Sequence, residues 1–225
     1  MSFSAFSNHV RNPALPYQRR VTAMRSCVQL YRPIGFNATL SFLEELAGPF
    51  QRDEQALLRA HGQLATSRAL WHEHLGSYAS QRRTAKRLGY RKPRKTEVNP
   101  NQGPSIWYGA PQQAALHALS YWRRGRLPEL LLWKDPGAQE IDSAVSACLT
   151  SGGAFSRRQL QQLEAAVQQI ESRIKDDLYA RDTAAYLRGR DLLHLAALVS
   201  TASMNQNDWY GRADAGIAEE QEFLH

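Results

Sequence analysis

The chain has 225 residues, of which 43% are hydrophobic, and this is enough to bury one core or two small ones. Five tryptophans and nine tyrosines exclude the composition of a disordered chain. The two cysteines, Cys27 and Cys148, are too few for a disulfide framework or a four-cysteine zinc site, and they fit a reducing compartment.

The formal net charge of +7 is unevenly distributed along the chain. Residues 1–134 contain 20 Lys and Arg against 7 Asp and Glu, a net of +13, whereas residues 135–225 contain 8 against 14, a net of −6. This asymmetry indicates polyanion binding by the basic half and leaves the acidic half for other proteins. The alternative is a solvated surface with an accidental bias.

Neither a secretory leader nor a membrane span is expected. Residues 1–20 lack the apolar core of a signal peptide, and the longest apolar segment, residues 192–202, is far shorter than the ~20 residues that a span needs. We therefore expect a cytoplasmic protein with no membrane partner.

The predicted elements of the first half are helical except near the N-terminus. Residues 1–20, rich in Ser, Asn and Pro, predict a flexible arm, and the loose alternation over 20–33 favours a strand. Apolar residues at helical spacing predict a helix over 37–46 and a longer one from residue 51 to about 75, with a break at Gly62. Helix resumes over residues 80–88 and ends at Gly89.

Prolines and asparagines predict a loop over 93–106, followed by helices over 111–124 and 142–149. The short apolar segment 130–133 predicts a strand or a buried turn, and Ser151-Gly152-Gly153 predicts a hinge.

Beyond the hinge, the spacing of Ser156 and Gln159 is that of a capping box. The helix that it starts carries an apolar seam facing another helix, and residues 190–203 predict a mostly buried helix. Residues 154–203 therefore predict a helical hairpin or part of a bundle. The seam consists of Leu160, Leu163, Val167, Ile170, Ile174 and Leu178.

The expected fold is mostly α, with a long basic loop, a C-terminal helical hairpin or bundle and at most a few short strands. We expect four regions: a flexible arm (1–20), a basic, mainly helical nucleic-acid-binding region (21–150), the C-terminal hairpin (151–212) and an acidic tail (213–225).

Catalytic and metal-binding motifs are absent from the sequence, which has no HExxH, CxxC, GxSxG or Gly-rich phosphate loop. His72 and His74 are two residues apart, and on a helix their side chains point about 200° away from each other, so they cannot share a metal. The sequence thus predicts no enzyme, no metal site and no cofactor.

The strongest indication of a ligand is the run from Arg82 to Lys95, which has eight basic residues and no acid. Side chains at this density neutralise phosphates and release counterions, and the resulting affinity is salt-dependent and largely blind to sequence. The helical part can follow a phosphate backbone, and the extended part can lie in a groove. The predicted contacts are Arg82, Arg83, Lys86, Arg87, Arg91, Lys92, Arg94 and Lys95, with a second cluster at Arg123, Arg124 and Arg126.

The loop after this run carries side chains suited to base contacts. Amides can read base edges, and aromatic rings can stack on unpaired bases. The alternative is that the aromatic pair belongs to the core and anchors the loop. The amides are Asn99, Asn101 and Gln102, and the rings are Trp107 and Tyr108, with Tyr90 as a further ring within the basic run.

The sequence therefore predicts a non-catalytic, nucleic-acid-binding subunit of a larger nucleoprotein complex, such as an RNA-guided effector complex or a mobile-element DNA complex. Its partners would be DNA or RNA at the basic region and other protein subunits at the C-terminal hairpin. Two alternatives stay open. One is a protein-interaction module whose basic pole binds an acidic protein, and the other is a metal-dependent nuclease with a site assembled from scattered Asp, Glu and His residues.

Overall fold

The computed structural model describes residues 1–93, 100, 106–125, 127, 130, 136–175 and 181–204. These residues form eight major α-helices and no strand, so the mostly α-helical prediction is confirmed. The helices are α1 (Phe3–Arg11), α2 (Tyr17–Leu30), α3 (Phe36–Ala47), α4 (Glu54–Arg87), α5 (Pro111–Gly125), α6 (Pro136–Ser151), α7 (Arg157–Lys175) and α8 (Thr183–Ser203).

The chain divides into two compact units, an N-terminal unit (Met1–Ala110) and a C-terminal unit (Pro111–His225). The division falls between Ala110 and Pro111. None of the helices in the described ranges combines the length and the apolar character that crossing a membrane requires.

The predicted flexible arm at residues 1–20 is wrong, because these residues contain α1 and the start of α2. Ser2 caps α1 by accepting a hydrogen bond from the amide of Ala5, and Phe3 and Val10 are buried against the rest of the unit. Burying two such side chains contributes about 1.5–3 kcal/mol each, which outweighs the turn-forming composition of the segment.

The predicted strand over 20–33 is also wrong. Val21, Met24 and Val28 recur at helical spacing and line the buried face of α2, which contacts α1, α3 and α4. Packing on three sides overrides the weak strand preference of the β-branched residues.

The longest helix, α4, begins with Asp53 as its cap and has 34 residues, a length of about 50 Å at 1.5 Å per residue. The break expected at Gly62 does not occur. Gly62 faces open space, and Ala60 and Leu64 on either side of it are buried. Packing therefore keeps the helix continuous through a residue that costs about 1 kcal/mol.

In the C-terminal unit, α8 contacts α5, α6 and α7. Its buried residues, which include Leu192, Leu195 and Leu198, form the centre of the core. The predicted capping box is present: Ser156 Oγ accepts from the Gln159 amide at 3.3 Å, and the Ser156 amide donates to Gln159 Oε1 at 2.8 Å.

The seam of α7 faces helices of its own unit. Leu163 and Ile170 are buried, Leu160, Val167 and Ile174 are half-buried, and α7 contacts α6 and α8. Leu178 lies outside the described residues. The seam expected to need a partner is thus covered within the chain.

The predicted hinge is a tightly packed turn that ends α6. Gly152 and Gly153 have φ values of +63° and +95°, and the amide of Gly153 donates to the carbonyl of Cys148 at 2.9 Å. Gly153 lies so close to α8 that a Cβ atom there would be 2.4 Å from the carbonyl oxygen of Ala202.

Three partly or fully buried histidines make stability depend on pH. Burial lowers the pKa of His61, His74 and His194 below that of the unfolded chain, so the unfolded state binds more protons as the pH falls. Their contribution is complete above pH ~6.5 and is lost as the pH falls towards the lowered pKa. We expect the urea midpoint to decrease from pH 7 to pH 5.5, and His61→Leu with His194→Leu to flatten this decrease. An unchanged slope in the double variant would contradict this.

Candidate nucleic-acid interface

The C-terminal third of α4 extends past the core of its unit. Ser67 is the last buried residue of this helix, and from Gly76 to Arg87 every residue is exposed or half-buried. These residues span about 18 Å of helix. The half-buried positions, among them Tyr78, Arg82 and Ala85, lie on one face, so the opposite face is open to solvent.

The open face ends in a set of cations that we call the basic end: Arg83, Lys86, Arg87, Arg91 and Lys92. Arg83, Lys86 and Arg87 have the spacing i, i+3, i+4 and therefore lie on one side of the helix. No acidic residue occurs between Glu73 and Glu97 in the sequence. Arg83 Nε donates to its own helix at the carbonyl of Ala79, 3.2 Å away.

All members of the basic end are exposed, and none of them forms an ion pair within the described ranges. The charges can therefore reach a ligand without breaking internal salt bridges.

A Schellman motif holds the turn at the end of α4. Gly89 has φ +93°, its amide donates to the carbonyl of Lys86 at 3.1 Å, and the amide of Tyr90 donates to the carbonyl of Ala85 at 2.9 Å. The predicted helix end at Gly89 is confirmed, and the positive φ explains why glycine stands there.

Unlike its basic neighbours, Arg82 hydrogen-bonds to the chain that follows the helix. One of its terminal nitrogens donates to the carbonyl oxygens of Tyr90 and Arg91, at 3.2 and 3.1 Å. The side chain thereby ties the returning chain to the helix. Arg82, predicted as a phosphate contact, is positioned to stabilise the turn that presents the others.

The gain in helix stability is too small to explain why five cations are concentrated at the basic end. A cation in the last turn gains about 0.3–1 kcal/mol from the helix dipole, and like charges four residues apart, such as Arg83 and Arg87, lose about 0.2–0.5 kcal/mol. Arg91 and Lys92 lie beyond the helix, where the dipole falls off. The net internal benefit is small, whereas a polyanion would relieve the repulsion of the whole set.

The predicted stacking role of Trp107 is not supported by its position. Trp107 is 2% exposed, and its ring packs edge-on against Phe42 with the centroids 5.2 Å apart. Tyr108 is half-buried and its hydroxyl lies 2.9 Å from His74 Nδ1. Both aromatic residues hold the segment 106–110 against the helices, so the alternative role as anchors fits them.

Of the other predicted contacts, only Arg123 and Arg124 lie in the described residues, and both are on α5. Arg123 pairs with Asp142 at 3.1 Å and also contacts the hydroxyl of Ser146, and exposed Arg124 donates to the carbonyl of Ser120 at 3.3 Å. The remaining predicted contacts lie outside the described residues: Arg94, Lys95, Asn99, Asn101, Gln102 and Arg126.

The described parts of the chain contain neither a metal-binding cluster nor an exposed thiol. No cluster of three or more His, Cys, Asp or Glu residues that could hold a metal occurs there. Cys27 and Cys148 are buried thiols, and burial raises the pKa of Cys148 to about 11, so it is protonated at neutral pH.

Sequence reasoning missed a cleft of about 480 Å³ in the N-terminal unit. One exposed side of α2 lines it, with Phe36 and Gln51 opposite, and Arg25 supplies its cation. The spacing of Gln18, Thr22, Arg25 and Gln29 on one helix face is the signal that could have indicated a polar groove.

Comparison of the chain with protein-family models, curated proteins and solved structures found no match.

Proposed function

We propose that this protein is a non-catalytic, nucleic-acid-binding subunit of a larger nucleoprotein complex. The basic end of α4 grips the phosphate backbone, and Asn99, Asn101 and Gln102 in the following segment contact bases. Other protein subunits bind the C-terminal helical hairpin, which contains α7 and α8.

One observation carries the proposal: five exposed cations without ion pairs in the described ranges stand together where α4 extends beyond its core. Phosphates repeat every few ångströms along a nucleic acid, and counterion release rewards a surface that neutralises several of them at once. The helix carries three of the cations on one side, and the Schellman turn and Arg82 bring the backbone of Arg91 back to the end of the helix.

An acidic protein could bind the same cations, and a nucleic acid is favoured by their density. Eight basic residues within 14 positions, with no acid among them, exceed what a mixed-charge protein surface needs and match an unbroken row of phosphates. The two ligands are distinguished by direct binding to oligonucleotides.

The proposal is tested by fluorescence anisotropy with short labelled DNA and RNA, single- and double-stranded, near physiological salt. The variant Arg83→Ala/Lys86→Ala/Arg87→Ala should bind about tenfold or more weakly, because three phosphate contacts are lost. All three positions are exposed on a helix, where alanine is well tolerated, so the fold should persist.

The matched control removes the same charge elsewhere. Arg157→Ala/Arg158→Ala/Arg181→Ala changes three exposed arginines of the C-terminal unit, two of which begin α7, where cations oppose the helix dipole. This control should keep its affinity to within about twofold. Equal losses in both variants would mean that only net charge matters, and would contradict a site at the basic end.

A further inference from the structure

An apolar surface lies in the middle of the basic end. Leu88 is 62% exposed and Tyr90 is 53% exposed, and both residues lie between Arg87 and Arg91. A single exposed leucine needs no explanation, but two large exposed side chains within three residues, with cations on both sides in the sequence, stand out; we call this pair the patch.

Hydrogen bonds order the backbone turn that carries the patch. The Schellman bonds fix the backbone from Ala85 to Tyr90, and Arg82 donates to the carbonyls of Tyr90 and Arg91. Gly89, with φ +93°, turns the chain between the two apolar residues. Leu88 and Tyr90 are therefore presented by a preorganised turn, so little conformational entropy is lost when they meet a ligand.

We propose that Leu88 and Tyr90, which lie among the cations of the basic end, also contact bases, with Leu88 wedging against a base step and Tyr90 stacking on a base. This inference rests on the proposed function. It moves base stacking from Trp107 and Tyr108, whose rings are packed in the N-terminal unit, to the turn that follows α4.

The positive charge that flanks the patch indicates the class of ligand that it would bind. The cations flanking the patch bind phosphates, and an apolar or aromatic side chain reaching past the phosphates meets bases. Apolar wedges of this kind partly unstack neighbouring bases, and stacking on an aromatic ring tolerates any base. A nucleic acid thus satisfies both parts of the surface.

The test separates bases from phosphates with two probes of equal length. One is a mixed-sequence oligonucleotide, and the other is the same sugar-phosphate chain made entirely of abasic units. The unmodified protein should bind the base-bearing probe about tenfold more tightly. Leu88→Ala/Tyr90→Ala should lose most of this preference and keep only the part that the amides of the following segment supply. Its salt slope should be unchanged because the phosphate contacts remain.

Control variants guard against indirect effects. Tyr90→Phe keeps the ring and should keep the preference for bases, and Leu30→Ala/Leu58→Ala removes two exposed leucines elsewhere in the N-terminal unit and should also keep it. Circular dichroism of each variant checks that the fold is intact.

Each outcome has one meaning. A preference for bases that is undiminished in Leu88→Ala/Tyr90→Ala overturns this inference and leaves the proposed function standing. Binding to neither probe overturns both. Binding to anionic phosphatidylserine vesicles that is lost in the double variant, with oligonucleotide binding unchanged, also overturns the inference and assigns the patch to a membrane surface.

Discussion

Replacing Gly153 with alanine is expected to destabilise the C-terminal unit by about 3–4 kcal/mol, from the sum of backbone strain and overpacking. Gly153 has φ +95°, which an L-residue adopts only under strain. The added Cβ would lie 2.4 Å from the carbonyl oxygen of Ala202 and 3.0 Å from Gln112 Nε2. The oxygen belongs to helix backbone and cannot rotate away, so α6 and α8 would have to separate.

Gly152 offers a matched control one residue away. Its φ is +63°, but nothing lies within 4 Å of the position where a Cβ would be placed. Gly152→Ala should therefore show the strain alone, about 1–2 kcal/mol. Urea unfolding of both variants measures the difference, and equal losses would mean that the close approach of Gly153 to α8 has no energetic weight.

Removing the carboxylate of Glu54 is expected to destabilise the N-terminal unit by about 3 kcal/mol. The side chain of its partner Arg20 is only 4% exposed, and Arg20 Nη1 lies 2.6 Å from Glu54 Oε1. Arg20 also donates from Nε to the carbonyl of Val10 at 2.9 Å, so one guanidinium joins α1, α2 and α4. Glu54→Ala would leave this buried cation without its counter-charge.

Replacing the arginine instead, in Arg20→Met, is expected to lower the free energy of unfolding by less than Glu54→Ala does. Glu54 is 54% exposed, so in Arg20→Met its carboxylate is free to hydrate, and the methionine fills much of the arginine volume. The remaining loss is the hydrogen bond to the buried Val10 carbonyl, about 1–2 kcal/mol. Chemical unfolding of both variants shows which one loses more free energy of unfolding. A greater loss in Arg20→Met would contradict this account of the pair.

Local signals in the sequence were sufficient for much of the fold. The capping box at Ser156 and Gln159 and the stop at Gly89 depend on residues within one turn of each other, and the structure contains both. Helix α8 is central because nearly every position between Leu192 and Val199 is apolar, and such a pattern buries several faces at once.

The failures came from packing between distant residues. Helix α1 looked like an arm because its buried apolar side chains, Phe3 and Val10, are seven residues apart, and only contact with α2 and α4 shows their common face. The strand assigned to 20–33 failed for the same reason. Val21, Met24 and Val28 have helical spacing, but the helices that cover this face, α1, α3 and α4, are brought there by contacts between distant residues.

The candidate site shows the same contrast between local sequence signals and contacts between distant residues. The density of cations in residues 82–95 is visible in the sequence, and the exposure of the basic end agrees with it. The sequence could not show that Trp107 packs on Phe42, or that Arg82 and Arg123 are engaged by carbonyls and by Asp142, because each contact joins residues on different elements. Aromatic and arginine side chains serve cores and ligands equally well, so their type alone does not decide their role.

The most direct test of the central claim is the salt dependence of oligonucleotide binding, measured by anisotropy with the unmodified protein and with Arg83→Ala/Lys86→Ala/Arg87→Ala. The logarithm of the affinity should fall linearly with the logarithm of salt concentration, and the slope should be shallower by about 2–3 in the variant, close to one per lost phosphate contact. Undetectable binding of the unmodified protein to every oligonucleotide near physiological salt, or the same slope in both proteins, would contradict a phosphate-binding role for the basic end.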